Sequence, residues 1–236
     1  MPDFAIVDRT KLDAAMRATA DAIREKQGNS LPMVWDEYTG FEIPVSAIDL
    51  DARAKTVEDE FLLGTYANVD NDRVTSIVSN ALRNMPGLKT VKVDNVETIG
   101  EYAMYSCASL TKCHAAKATT LAGGVFYGDT RLVDVVLTAA ETIGVNCFYA
   151  CRGLTTLELP SVNSIGNNAF NGCNSLKRLI IGTDLCTIGT GAFTGTPIAN
   201  GDGYIYVPDV MVEAYKAATN WSDYASKIKG LSEVPA

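Results

Sequence analysis

One histidine, six cysteines and a few glycine-rich stretches are the parts of this 236-residue chain that could carry chemistry. A metal site at His114 would need further nitrogen or sulfur ligands in register with it, and the sequence offers none. A Ser-His-Asp or Cys-His nucleophile would depend on the same lone histidine. We therefore predict no metal site, no catalytic residue and no enzymatic activity.

The glycine-rich stretches do not match a phosphate-binding loop. Residues 122–124 and 189–191 lack the lysine and the spacing of the G-x-x-x-x-G-K pattern. The cysteines likewise lack the Cys-x-x-Cys pairs that zinc ribbons need. We therefore predict that the protein holds no cofactor.

Three of the cysteines share one position in a 22-residue period. Cys107, Cys151 and Cys173 stand at the same place in three copies, and Asp129 and Thr196 take the equivalent places in other copies. Small side chains at a fixed interval are typical of positions that stack inside a repeat protein. We predict buried thiols at these positions, with oxidation of the neighbouring thiols of Cys151 and Cys173 as the alternative.

The period runs from Leu88 to about residue 198, and a leucine opens each of its five successive copies. The positions are Leu88, Leu110, Leu132, Leu154 and Leu176. The clearest copy, LTTLELPSVNSIGNNAFNGCNS, begins at Leu154, whereas the copy from Leu110 is degraded. In the copy from Leu176 one residue is inserted, and we expect Leu185 to take the inward place of Val162.

Each part of the repeat predicts a local structure. The opening L-x-x-L-x-L alternates as on a short strand with one buried face. Gly166 after Ile165 predicts a tight turn, and the spacing from Ala169-Phe170 to Cys173 predicts a short helical segment. A single copy cannot bury its apolar face alone, so the copies must stack. The sequence therefore predicts an α/β repeat fold, a leucine-rich repeat solenoid with 22-residue coils.

The signature Ile165-Gly166, Ala169-Phe170, Cys173 and Leu176 resembles the Treponema-type, or BspA-like, leucine-rich repeats of bacteria. Residues 204–209, followed by a helix that ends near Ile228, are similar to the terminal cap of those proteins. Residues 20–26 are similar to the short helical leader of such repeats in gut-bacterial phages and prophages, where they are encoded among tail genes. The resemblance implies the solenoid fold and, through the leader alone, a place in a phage tail.

Residues 1–58 lie outside the repeats and are predicted to form a short helical module. Leu12, Met16 and Ile23 recur at helical spacing, and an irregular segment containing Trp35 is expected after them. So small a module has little core of its own. We predict that these four residues attach the chain to other virion proteins or to a second copy, as a homo-oligomer, with a plain N-terminal cap as the alternative.

Residues 59–198 are predicted to form the solenoid and residues 199–236 its C-terminal cap, with a strand followed by a helix. The strand is expected at 205–207, and the helix at 210–218 with Asp209 as its N-cap. The apolar stripe of the helix is expected to continue at Trp221, Tyr224 and Ile228. An open solenoid end exposes apolar surface, so a cap is needed.

Three tyrosines are the best candidates for a binding surface. Tyr105, Tyr127 and Tyr149 each follow the buried phenylalanine position in three successive copies. Stacking of the coils would place them in one row about 5 Å apart. Tyrosine offers a large apolar face with a polar tip, which suits sugars or protein partners. The alternative is that the row only covers neighbouring aliphatic side chains.

Charge and hydropathy exclude two classes of partner. The chain has 20 Lys+Arg against 28 Asp+Glu, and its net charge of −8 would repel nucleic acid. No stretch approaches the roughly 20 apolar residues of a membrane-spanning helix, so no membrane insertion is predicted. The first residues show no secretory signal peptide, from which we expect synthesis in the bacterial cytoplasm.

These features together predict a non-enzymatic recognition or assembly protein. The favoured hypothesis is a tail-associated structural protein of a phage virion, which presents the solenoid to a protein or glycan of the host surface. The alternative is a leucine-rich repeat adhesin on the bacterial cell surface. A structural decoration protein without a receptor is a third hypothesis.

Overall fold

The computed structural model describes residues 34–36, 40–42, 68–71, 74–182 and 184–235. Beyond residue 68 the chain forms stacked coils, and each coil adds strands to two faces of the stack. Successive coils pair with a register equal to the sequence period, as Thr90 does with Lys112. None of the described helices is long and apolar enough to cross a membrane. The predicted α/β leucine-rich repeat solenoid is confirmed.

The strands are short and mostly parallel. In chain order they are β1 (Val34–Asp36), β2 (Gly40–Glu42), β3 (Asn68–Asp70), β4 (Ser76–Ile77), β5 (Thr90–Lys92), β6 (Thr98–Ile99), β7 (Lys112–His114), β8 (Thr120–Leu121), β9 (Asp134–Val136), β10 (Thr142–Ile143), β11 (Thr156–Leu159), β12 (Ser164–Ile165), β13 (Arg178–Ile181), β14 (Thr187–Ile188), β15 (Tyr204–Val207) and β16 (Ile228–Gly230). The first face holds two four-stranded sheets, β3-β5-β7-β9 and β11-β13-β15-β16. The second face is one six-stranded sheet that runs from β4 to β14. The first face is therefore interrupted between β9 and β11, whereas the second face is continuous.

The N-terminal module contains a β-hairpin. β1 pairs antiparallel with β2, and Trp35 lies opposite Phe41 in the register. The irregular segment predicted around Trp35 is therefore wrong for Val34–Asp36. Valine, tryptophan and phenylalanine favour extended backbone, and the pairing satisfies the backbone hydrogen bonds of both strands. Leu12, Met16 and Ile23 lie outside the described residues.

The core is a set of ladders in which equivalent residues of successive coils stack. The inward positions of the degraded copy from Leu110 are as fully buried as those of the clear copies. The largest ladder comprises Phe126, Phe148, Phe170 and Phe193, whose ring centroids are 5.0, 5.3 and 5.5 Å apart. Trp221 of the C-terminal cap continues it at 6.2 Å. The repeat therefore buries the positions that its period predicts.

The segment from the glycine to the cysteine position is a pair of turns, not the short helix predicted for it. Each coil contains two residues in the left-handed region, one in each turn. The first positions are Asn80, Tyr102, Gly124, Asn146, Asn168 and Gly191, and the second are Asn84, Ser106, Gly128, Ala150, Gly172 and Gly195. Alternate backbone donors bond the next coil, as Phe126 N does to Cys147 O at 2.8 Å, and the donors between them close the turns, as Tyr127 N does to Gly124 O at 3.1 Å. Bonds between coils thus replace the bonds within a helix.

The glycine that follows isoleucine is needed for close packing of coils. Gly144 and Gly166 do not have positive φ, so the tight-turn explanation is wrong for them. A Cβ on Gly166 would lie 2.6 Å from the backbone nitrogen of Val145, and one on Gly144 would lie 2.5 Å from the carbonyl oxygen of Ala122. The backbones of neighbouring coils therefore approach too closely for a larger side chain.

The inserted residue in the coil from Leu176 shifts the inward position by one. Leu185 is 46% exposed, whereas Cys186 is 1% exposed, so the prediction of Leu185 as the inward residue is wrong. The cap selects this register by hydrogen bonds to the loop. The indole nitrogen of Trp221 donates to the carbonyl of Cys186 at 2.7 Å, and the hydroxyl of Tyr215 donates to the carbonyl of Asp184 at 2.7 Å.

The C-terminal cap contains more short elements than predicted. After α1 (Pro197–Asn200) and β15 come a 3-10 turn at Asp209–Met211, α2 (Val212–Ala217), a 3-10 segment at Ser222–Lys227, β16 and a 3-10 turn at Leu231–Glu233. The strand predicted at 205–207 is confirmed. The predicted N-cap role of Asp209 is wrong, because its carboxylate accepts instead from the hydroxyl of Ser232 at 2.6 Å. Ile228 lies on a strand and pairs with Ile205, so the helix does not extend to it.

The repeated cysteines form a buried hydrogen-bonded ladder. All six cysteines are buried and free. The thiols of Cys107, Cys151 and Cys173 donate to backbone carbonyls of the preceding coil at 2.9, 3.0 and 2.9 Å. Burial raises the pKa of the Cys107 thiol to about 12, and it raises the pKa of Cys151 as well. The prediction of buried thiols is confirmed, and the raised pKa makes Cys107 and Cys151 poor nucleophiles.

Asp129 takes the cysteine place in the coil from Leu110 and is completely buried. One carboxyl oxygen accepts from the backbone nitrogen of Cys107 at 2.7 Å, and the other has no hydrogen-bond partner among the described residues. Burial holds the pKa of Asp129 well above its usual range, because an ionised carboxylate there would lose its hydration. Burial at the cysteine position therefore favours the protonated form of Asp129.

Substitution of Gly166 by valine should destabilise the protein strongly. The valine side chain would meet the backbone of the preceding coil, and such overpacking costs about 2–3 kcal/mol. Gly166→Ala should cost less, because Ala122 occupies the equivalent place in another coil. Urea denaturation of the two variants checks this, and equal midpoints for Gly166→Val and the unmodified protein would contradict the close approach.

Asp129 should make the protein less stable as the pH rises. A native pKa above the unfolded value of about 3.9 means that the native state keeps a proton which the unfolded chain releases. The stabilisation that this proton contributes to the free energy of unfolding is complete below the unfolded pKa. It is lost as the pH rises towards the native pKa, and the free energy of unfolding falls by at most about 1.4 kcal/mol per pH unit.

Asp129→Asn tests this dependence, since the amide keeps an acceptor for Cys107 and cannot ionise. We expect the variant to be more stable than the unmodified protein near pH 7.5 and to gain less near pH 4.5. Urea denaturation at both pH values measures the difference, with the exposed Asp223→Asn as the control. Identical pH profiles for Asp129→Asn and the unmodified protein would show that Asp129 does not hold the extra proton.

Candidate binding surface

The three predicted tyrosines form one stacked row. The ring centroids of Tyr105 and Tyr127 are 5.1 Å apart with planes at 17°, and those of Tyr127 and Tyr149 are 4.5 Å apart at 6°. Each tyrosine lies between the two left-handed residues of its coil and directly follows an inward side chain of the core, Met104 in the first coil. The register of the coils therefore brings together residues that are one full period apart in the sequence. We refer to Tyr105, Tyr127 and Tyr149 as the tyrosine row.

Stacking inside the row covers most of the ring faces of the three tyrosines. Both faces of Tyr127 are covered, one by Tyr105 and the other by Tyr149. Partial removal from water raises the pKa of Tyr127, and the neighbouring phenols of Tyr149, Tyr105 and Tyr102 raise it further. Both large apolar faces of Tyr127, and one face each of Tyr105 and Tyr149, are therefore unavailable to a sugar. Hydrogen bonding along the line of hydroxyls is the chemistry that remains.

Two residues that the sequence did not single out lie at the N-terminal end of the row. The ring of Tyr102 contacts that of Tyr105 edge to face, with centroids 5.8 Å apart. The guanidinium carbon of Arg83 lies 4.7 Å from the centroid of Tyr105 and 5.7 Å from that of Tyr102. The sequence carried one sign of this cluster, because Tyr102 stands where the other coils have asparagine or glycine.

The outward residues of the first face have mixed charge. Lys92, His114 and Val136 pair in register across β5, β7 and β9. The imidazole Nε2 of His114 lies 3.2 Å from one oxygen of Asp134, and the ammonium of Lys112 lies 3.2 Å from the other. Although partial burial opposes it, hydrogen bonds from His114 and Lys112 hold the pKa of Asp134 below its usual range. His114 is therefore accounted for as the partner of a surface carboxylate.

Within the described ranges, no group of three or more His, Cys, Asp or Glu residues is placed to hold a metal ion. The cysteine thiols lie in the core, and burial raises the pKa of the Cys113 thiol, which suppresses its nucleophilicity. The structure gives the strand on which Trp35 lies, Val34–Asp36. An attachment role stays a prediction for Trp35, as it does for Leu12, Met16 and Ile23. Binding through the tyrosine row is the chemistry that the described surface supports best.

Comparison with known proteins agrees with the coil geometry. The sequence model of the protein family called BspA type leucine rich repeat region matches residues 65–163 and 141–203, with six copies of the repeat. No curated protein matches the sequence.

Two crystal structures share the fold of this chain. A leucine-rich repeat protein from Bacteroides ovatus is 22% identical with a TM-score of 0.56, and the match covers 72% of this chain and 44% of that one. A leucine rich cell surface protein from Faecalibacterium prausnitzii is 22% identical with a TM-score of 0.54, covering 71% of this chain and 48% of that one. The chain thus spans less than half the length of either neighbour.

Proposed function

Because the chain belongs to the BspA-type leucine-rich repeat family, we propose that it is a non-enzymatic recognition or assembly protein whose partner binds at the tyrosine row. The observation that carries this proposal is the ordered stack of three half-buried tyrosines on one side of the solenoid. Rigid aromatic side chains lose little conformational entropy on binding and are enriched at the energetic centres of interfaces.

Simultaneous replacement of Tyr105, Tyr127 and Tyr149 by serine tests the binding role. The labelled full-length protein is incubated with a panel of intact gut-bacterial strains, and bound label is measured. We expect the unmodified protein to bind some strains and the triple variant to bind them at least about tenfold more weakly, as for loss of an interface centre.

A matched control changes the same three coils on the second face. Thr98→Ala, Thr120→Ala and Thr142→Ala together remove three side chains that are aligned on the six-stranded sheet. This variant should bind like the unmodified protein. If the tyrosine variant keeps its stability and binds equally well, the row serves only packing, which is the alternative that the sequence left open.

The setting that we propose is a phage tail, supported by the resemblance of residues 20–26 to the leader of tail-encoded repeat proteins. In that setting the solenoid presents its surface to a protein or glycan of the host, and the protein is a virion component made in the bacterial cytoplasm. A bacterial cell-surface adhesin is the second candidate, which the description of the Faecalibacterium neighbour as a cell surface protein favours. Antibodies against the chain distinguish the two, by labelling purified phage particles or the surface of uninfected cells.

Residues 1–58 are proposed to attach the chain to other virion proteins or to a second copy. Aspartate at Leu12 and Met16 would place charges in the proposed apolar contact, together with Ile23 and Trp35. Light scattering of the full chain should show an oligomer, and the Leu12→Asp/Met16→Asp variant should be a monomer. Asp13→Ser, which lies off the apolar stripe, is the control. A monomeric unmodified protein would exclude self-association and leave attachment to another protein.

A further inference from the structure

Tyr102 occupies a backbone position that is unfavourable for tyrosine. Its φ is 54°, and the equivalent residues in the other described coils are three asparagines and two glycines, with φ between 53° and 70°. A bulky L-residue is uncommon in this left-handed region, which asparagine and glycine tolerate better. The fold therefore does not require tyrosine here.

The unfavourable residue also places an aromatic ring on the surface. Tyr102 is 38% exposed, although most aromatic side chains of the described coils are buried or half-buried. One side of its ring lies against the backbone of Gly124, where a Cβ would come within 2.5 Å of the ring. Residues held in sparsely populated backbone regions cluster at functional sites, because local strain persists where it serves binding.

Arg83 supplies a positive charge beside this ring. Its guanidinium rests on Tyr105 and Tyr102 at 4.7 and 5.7 Å, and one nitrogen donates to the side-chain oxygen of Asn80 at 3.1 Å. No carboxylate in the described part of the chain lies within ion-pair distance of it. A guanidinium has five N–H donors, so most of them remain open to a partner.

We infer that Arg83 and Tyr102 anchor a carboxylate of a protein partner at the N-terminal end of the tyrosine row. The rings and Asn80 hold the guanidinium in place before binding, and a fixed guanidinium matches a carboxylate through two parallel hydrogen bonds. The partner is an acidic peptide segment and not a glycan, because Tyr105, Tyr127 and the guanidinium stack on one another and offer no run of open ring faces to a sugar chain. The inference rests on the proposed function, since it names the partner chemistry of the same surface.

A random library of short peptides displayed on cells provides the probe. The full chain is used to select peptides, and the best acidic peptide is synthesised and titrated by fluorescence anisotropy. We expect enrichment of Asp and Glu, and a Kd that rises with salt. Arg83→Gln should weaken binding at least about tenfold, as expected for loss of a charged hydrogen bond. Tyr102→Asn, which copies Asn146 and Asn168 and so suits the backbone, should also weaken it.

Arg131→Gln is the matched control, because Arg131 is an exposed arginine on another part of the coils. Thermal unfolding of each variant verifies that the fold is kept. Failure to enrich acidic peptides, or equal affinity of Arg83→Gln and Arg131→Gln, would overturn the inference. Binding to a glycan array that is lost in Arg83→Gln, without peptide binding, would overturn it in favour of an acidic sugar.

The triple serine variant of the tyrosine row separates this inference from the proposed function. Cell binding that depends on the row but not on Arg83 or Tyr102 refutes the anchor and leaves the proposed function intact. Loss of peptide binding in Arg83→Gln and Tyr102→Asn, with cell binding unaffected by the triple variant, supports the anchor and refutes the row as the recognition surface.

Discussion

Hydrogen bonding between successive coils is the interaction on which the rest of this structure depends. Backbone donors in the turns and the strands bond to the neighbouring coil, as Gly166 N does to Ile143 O at 2.8 Å. Because the register is fixed, equivalent residues of successive coils stack on one another and form the phenylalanine, cysteine and tyrosine ladders. It also brings neighbouring backbones so close that Gly144 and Gly166 leave no room for a side chain. The 22-residue period of the sequence equals the offset between paired residues of successive coils.

The fold was largely predictable because burial follows the period. Inward positions, one strand per coil on the first face and the strand at 205–207 could be read from spacing alone, whereas the strands of the second face and β16 could not. The turns could not, because the spacing of Phe170 and Cys173 fits a helix equally well when the partner of each backbone donor is unknown. The choice between Leu185 and Cys186 likewise depends on contacts with Tyr215 and Trp221, which lie in a distant part of the sequence.

The candidate site was predictable only in part. Identical residues at equal intervals revealed Tyr105, Tyr127 and Tyr149, and the register explains why they meet. Arg83 stands 22 residues before Tyr105, at the position of the row in the preceding coil, but it is not a tyrosine, so the run of identical residues did not point to it. Tyr102 could have been noticed as the residue that breaks a run of asparagine and glycine, but its meaning required the backbone angle. The covered ring faces also changed the chemistry of the row, because stacking consumes the surface that a lone tyrosine offers.

The interruption between β9 and β11 gives the solenoid an unequal mechanical design. The second face is an unbroken sheet at this point, whereas the first face has no strand pairing between β9 and β11. The first face is therefore stiff only within each of its two four-stranded sheets, and the continuous sheet of the second face connects the coils of both. All three tyrosines of the row belong to coils of the N-terminal sheet β3-β5-β7-β9, since Tyr149 precedes β11. A bend at the break between β9 and β11 changes the angle between the two sheets of the first face, while the spacing of the three tyrosine rings stays fixed.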